Sequence, residues 1–121
     1  MSDELCFTSA CDLIEQYRKR NLSPVEVTQS ILDRIHRLNP VLNCFCHTDE
    51  ESTLAAARAS EERWQKGTPA GLIDGIPISI KDLLPVKGWP TRMGSNAISA
   101  DGPWNEDDPA VSRFREHGGI I

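Results

Sequence analysis

No stretch of the sequence is apolar for long enough to cross a bilayer, and no apolar run follows the acidic opening Met1-Ser2-Asp3-Glu4. A membrane span and a secretory leader are therefore not expected, and the chain reads as a soluble cytoplasmic protein with no membrane partner. A block of like charge is missing too. Thirteen Lys and Arg against eighteen Asp and Glu give a net charge of -5, with both signs mixed along the helical segments. That balance argues against direct binding of nucleic acid by these residues. Cysteine is sparse, with only Cys6, Cys11, Cys44 and Cys46. In a reducing compartment they are expected as free thiols acting as small buried hydrophobes. Cys44-x-Cys46 lacks the two-residue gap of zinc knuckles, and Cys6 and Cys11 are separated by four residues, so the pattern speaks against a metal. There is no H-E-x-x-H, phosphate loop, G-x-S-x-G elbow or dinucleotide fingerprint, and no cofactor is expected.

What is present fits one domain: 121 residues, 39% of them hydrophobic, can bury roughly two-thirds of the unfolded surface. The spacing predicts a first helix from about Ser9 to Arg20, capped by Thr8 or Ser9, with Ala10, Leu13, Ile14 and Tyr17 on one face. Asn21 can take the left-handed conformation that ends it. Ser23-Pro24-Val25-Glu26 opens a second helix as a capping box with proline at the first helical position. Val27, Ile31, Ile35 and Leu38 form its buried stripe, and Asn39-Pro40 is expected to stop it. Val41 to His47 reads as a short strand, and Thr48 or Asp49 opens a third helix that runs through Glu50 to Lys66 and ends at Gly67. Trp64 is expected to anchor packing. A long irregular stretch follows from Leu83 to Asp107. Asp108-Pro109 then starts a fourth helix with Ala110, Val111 and Phe114 inward, before Gly119-Ile120-Ile121 begins a strand.

Leu72 to Asp82, L-I-D-G-I-P-I-S-I-K-D, is the stretch that asks for a chemical explanation. An Asp74-Gly75 turn feeds a strand pattern with Ile76, Ile78 and Ile80 on one face and Pro77, Ser79 and Lys81 on the other. Lys81 leaves at the C-terminal end, where open α/β sheets often place their chemistry. Two readings stand at this level. Lys81 either snorkels to solvent or pairs with Asp82, or it is buried, loses its charge and acts as a general base or Schiff-base nucleophile. His36 and His117 read as structural, and His47 has no evident partner in the sequence.

G-I-P-I-S-I-K-D at 75–82 closely resembles the lysine motif of the amidase signature family. Ser23 to Glu26, Ile31 to Pro40 and Leu42-Asn43-Cys44-Phe45 resemble its N-terminal helices and "NP-x-LNAF" segment. Gly88-Trp89-Pro90-Thr91 with Gly94-Ser95 resembles "G-x-PTT-x-GS", and Asp108 to Gly119 resembles its "D-A-x-V-x-x-L-x-x-AGA" segment. The resemblance implies an α/β fold, here the N-terminal fragment of a mixed β-sheet flanked by helices with that sheet incomplete. It also implies hydrolysis of a small-molecule amide by a Ser-cisSer-Lys triad, with Lys81 as the catalytic general base. No counterpart of the two serines is found before Ile121. Ser79 and Ser95 are not substitutes, and Thr91 to Asn96 reads as scaffold near the site. Residues 1–121 are accordingly expected to be the N-terminal part of a single amidase domain, cut short within a strand and inactive alone, with homo-oligomerisation open. The alternatives are the amide-cleaving A subunit of a glutamine-dependent aminoacyl-tRNA amidotransferase, or a non-catalytic truncated product.

Overall fold

The computed structural model describes residues 3–121, so Met1 and Ser2 of the acidic opening lie outside it. A short 3-10 helix, Asp3–Phe7, precedes α1 (Ala10–Lys19), α2 (Pro24–Leu42), α3 (Glu50–Lys66) and, after a long irregular stretch, α4 (Pro109–Glu116). Ser9 caps α1 by accepting from the Asp12 amide at 3.1 Å, but the Asp12 carboxylate takes the Ser9 hydroxyl at 2.6 Å rather than the cap amide. Only one half of a capping box is therefore made at this helix start. The left-handed residue that ends α1 is Arg20, with φ 59°, not Asn21. Its guanidinium donates to the Gln65 carbonyl at 2.9 Å, a tie to α3 that favours this conformation despite its intrinsic cost.

In α2 both halves of the capping box form, with the Glu26 amide on Ser23 Oγ at 3.2 Å and the Ser23 amide on Glu26 Oε2 at 2.9 Å. Pro40 does not stop this helix. It continues to Leu42 with Pro40 inside it and closes on left-handed Asn43, whose N–H reaches the Asn39 carbonyl at 2.7 Å. Asn39 explains the difference. Its side chain accepts from the Cys44 and Phe45 amides at 2.9 and 2.8 Å and donates to the Phe45 carbonyl at 2.9 Å. Those backbone groups are thus satisfied locally and are not free for a ladder, so the strand expected over Val41–His47 is absent. In α3, Asp49 is the cap and Gly67, at φ 71°, is the stop.

The core gathers Leu13, Tyr17, Val27 and Ile76, with Ile14, Leu22, Ile31, Trp64, Ile73 and Ile78 packed against them. Trp64 anchors packing as expected: its ring centroid lies 6.1 Å from that of Tyr17, and its Nε1 donates to the Asp74 carbonyl at 3.1 Å. Ala10 and Ala110 are exposed rather than inward, because only Leu13 and Tyr17 of α1 and Val111 of α4 are fully covered. The cysteines also depart from expectation. Cys11, Cys44 and Cys46 are exposed and Cys6 is half-buried, since Cys11 falls on the outer side of α1 and the strand meant to bury the later pair does not form.

The lysine stretch runs parallel to the end of the chain. Gly75 N–H donates to Gly118 O at 2.9 Å, Ile120 N–H to Ile76 O at 2.9 Å and Ile78 N–H to Ile120 O at 2.7 Å. These make one parallel bridge, Pro77 to Ile120, beside an antiparallel bridge from Val86 to Trp89. No strand, and hence no mixed sheet, is formed among the described residues. A ladder needs a run of consecutive pairs, and residues 118–121 offer the lysine stretch too few. The side-chain alternation survives nonetheless, with Ile78 and Ile80 half-buried and Ser79 and Lys81 exposed. No helix among the described residues is long and apolar enough to cross a membrane.

Candidate active site

The Asp74-Gly75 turn positions the lysine stretch. Asp74 is fully buried, and its carboxylate accepts from Ser60 Oγ at 2.6 Å, Arg63 Nε and Nη2 at 2.8 and 2.6 Å, and the Ala70 amide at 2.7 Å. Burial alone would push the Asp74 carboxyl up, but the bonds from Arg63, Ser60 and Ala70 together outweigh it and hold the group below its usual range. Tyr17 OH donates to the Gly75 carbonyl at 3.1 Å, so the turn is held from α1 as well as α3. Gly75 has φ 86°, and a Cβ there would stand 2.8 Å from both Pro24 Cγ and Ser60 Oγ. Only glycine meets both conditions.

From this fixed turn the chain runs along a cleft of about 780 Å³ between α2, the segment after it, and the Trp89–Thr91 loop. Lys81, Ser79, His47 and Thr91 all line it. Lys81 is exposed there rather than enclosed. Its expected neighbour does not hold it: the Asp82 carboxylate turns away and accepts the Arg92 amide at 2.9 Å and the Gly94 amide at 3.0 Å. The Gly94 and Arg92 amides, with that of Met93 behind them, draw the Asp82 carboxyl below its usual range. No side chain among the described residues bonds to the Lys81 nitrogen. The reading in which Lys81 pairs with Asp82 is therefore not what the geometry gives.

The other candidates separate. Ser79 is exposed on the same cleft, whereas Ser95 lies outside the lining with its Oγ accepting from Ala97 N–H at 3.2 Å. His36 pairs with Glu50 at the surface, and His117 stands at the end of α4 with its backbone amide donating to the Arg113 carbonyl at 3.2 Å. His47 does have a partner: its ring centroid is 5.1 Å from that of Trp89. Asp49, also on the cleft, has its carboxyl drawn below the usual range chiefly by the Ser52 amide and hydroxyl. The sequence reading missed this aromatic pair, although the Gly88-Trp89-Pro90-Thr91 segment marked the place. Thr91 is buried on the cleft wall, consistent with a scaffold role for its loop. No group of three or more His, Cys, Asp or Glu among the described residues is arranged to hold a metal.

The family model described as Amidase matches residues 26–121. The chain belongs to the Amidase family. The A subunit of the glutamyl-tRNA(Gln) amidotransferase of Salinispora tropica is 39% identical over 121 residues, 100% of this chain but 24% of that protein. Native peptide amidase from Stenotrophomonas maltophilia superposes with a TM-score of 0.88 at 25% identity, over 99% of this chain and 25% of that one. A bacterial aryl acylamidase of the amidase signature family gives 0.78 at 27% identity, over 94% and 24% of the two chains. The chain thus spans about a quarter of the length of the amidase relatives it matches. The cleft, the Asp74 turn and Lys81 all fall within the stretch that matches the Amidase model.

Proposed function

We propose that the protein containing this chain hydrolyses a small amide, with Lys81 as general base of a Ser-cisSer-Lys triad whose two serines come from outside residues 1–121. The observation that carries the reading is the lysine motif at 75–82 in a chain of the Amidase family, with Lys81 standing in the cleft free of Asp82. In that scheme Lys81 takes a proton from the bridging serine, which takes one from the nucleophilic serine. That serine oxygen bonds to the amide carbon, the C–N bond breaks, and the proton passes to the leaving amine. Water then cleaves the acyl ester and frees the serine. The rest of the protein would enclose the cleft and pair the lysine stretch into a mixed sheet. The experiment is Lys81→Ala in the full-length protein: amide turnover is abolished while the far-UV circular dichroism is unchanged, and retained turnover refutes the assignment.

A second reading rests on the Salinispora tropica relative, whose name makes it part of an amidotransferase. In that reading the amide is glutamine and the released ammonia is passed on to glutamyl-tRNA within a complex. Ammonia release from glutamine, with further subunits co-purifying, selects it over a free-standing amidase.

A further inference from the structure

Asp82 follows the lysine directly, yet its carboxylate serves the backbone of another loop. It accepts from the amides of Arg92 and Gly94, so one side chain spans the two sides of a reverse in the chain. The loop's own bonds, Ser95 N–H to the Arg92 carbonyl at 2.8 Å and Ala97 N–H to Ser95 Oγ at 3.2 Å, shape it internally, but they do not tie it to the lysine stretch. Met93 and Gly94 both sit at positive φ, 53° and 68°, and Met93, Gly94 and Asn96 are exposed. The Arg92 side chain holds the far side by donating to the Ile98 carbonyl at 2.9 Å. On the lysine side, the Lys81 carbonyl accepts the Leu83 and Leu84 amides at 2.6 and 3.0 Å, a tight turn beginning at the lysine itself. Thr91, next to Arg92, is buried on the wall that Lys81 shares.

We propose that Asp82 is a positioning residue: by fastening the 92–94 amides to the turn after Lys81, it fixes the Thr91 wall against the lysine and sets where the Lys81 nitrogen stands in the cleft. The same bonds occupy the carboxylate. Both of its oxygens face N–H donors, so it is not the counter-ion of the lysine beside it. Asp82 thus acts twice, by holding the loop and by keeping its own charge engaged elsewhere.

This inference rests on the reading of Lys81 as general base, and the experiment separates the two. Asp82→Ala, Asp82→Asn and Lys81→Ala are made in the full-length protein and assayed on a simple aryl amide, with active sites counted by burst titration using an activated aryl ester. Asp82→Ala is expected to lower kcat per titrated site by about tenfold to a hundredfold, as misplacement by about an ångström does, with KM within about threefold. Asp82→Asn keeps the shape and one acceptor oxygen, and should fall between Ala and the parent. A loss of active sites at unchanged kcat per site, or a rise in KM alone, would show a merely structural or binding role and overturn the inference. If Asp82→Ala does not fold, Asp82→Asn decides by the same criteria. Lys81→Ala with retained turnover removes the reading of Lys81 itself. Inactive Lys81→Ala beside Asp82 variants that match the parent removes only the positioning role.

Discussion

Replacing Asp74 tests whether the turn that aims the lysine stretch is held by one buried carboxylate. The side chain is fully buried and receives four hydrogen bonds, two of them from Arg63, whose own side chain keeps 32% of its surface in water. Removing one partner of a buried ion pair costs about 3–5 kcal/mol, and the partial exposure of Arg63 puts this pair near ~3. Ser60 is fully buried and would lose the acceptor for its hydroxyl, adding about 1 kcal/mol. Asp74→Ala should therefore cost about 4 kcal/mol. Asp74→Asn retains the shape and part of the acceptor set, and should cost about 2. Urea unfolding of the full-length protein measures the total, and hydrogen exchange at the Ile76, Ile78 and Ile120 amides locates it. Losses below about 1 kcal/mol for both variants would refute the account. The pH dependence has a defined sign. The folded Asp74 carboxyl lies below its ordinary value of 3.8, so its stabilisation is complete above that value and drains away as pH falls from there through the folded one. Asp74→Asn should flatten that acid limb.

Two further substitutions bear on the same turn. Gly118 sits at φ 80°, and a Cβ there would come within 2.6 Å of Asp74 Oδ1, so Gly118→Ala should cost at least about 2 kcal/mol. In a double-mutant cycle with Asp74→Ala the two losses should sum to more than the double variant shows, because removing the carboxylate relieves part of the collision; strict additivity counts against the contact. Tyr17→Phe leaves the Gly75 carbonyl without its donor and should cost about 1–2 kcal/mol in the same urea assay. Burial also pushes the Tyr17 hydroxyl up, so its contribution is complete below the ordinary tyrosine value and is lost as pH rises from there through the folded one. An ultraviolet titration should find its phenolate only as the protein unfolds.

The helices were largely legible because their signals are local. Ser23, Pro24 and Glu26 specify the start of α2 within four residues, and Asp49 and Gly67 bound α3, so neither depends on what packs nearby. The misreadings arise where a tertiary or medium-range bond outweighs a local preference. Pro40 marks a helix end by its effect on Asn39, but the Asn39 amide group binds both amides beyond the helix and carries the end on to Asn43. That same bonding takes the backbone groups a strand over 41–47 would have used. Arg20 adopts the conformation that Asn21 is better suited to, and its bond to Gln65 in α3 has no trace in the local pattern.

The place of Lys81 in the cleft was legible and its surroundings were obscure, for a related reason. A motif names a residue type at a spacing, and the whole run from Pro77 to Asp82 in G-I-P-I-S-I-K-D lines the cleft, Lys81 with it. Adjacency in sequence then made Asp82 look like the natural partner of the lysine. The chain turns at Lys81, however, with its carbonyl taking the Leu83 and Leu84 amides, so the residue next to the lysine can reach another loop instead. Asp82 does so, bonding amides ten and twelve residues on. Ser79 and Asp82 differ in what they touch: Ser79 is exposed on the cleft two residues before Lys81, whereas the Asp82 carboxylate is taken up by the Arg92 and Gly94 amides. Substitutions at Ser79 should therefore change which amides are accepted, and substitutions at Asp82 should change how fast any of them reacts.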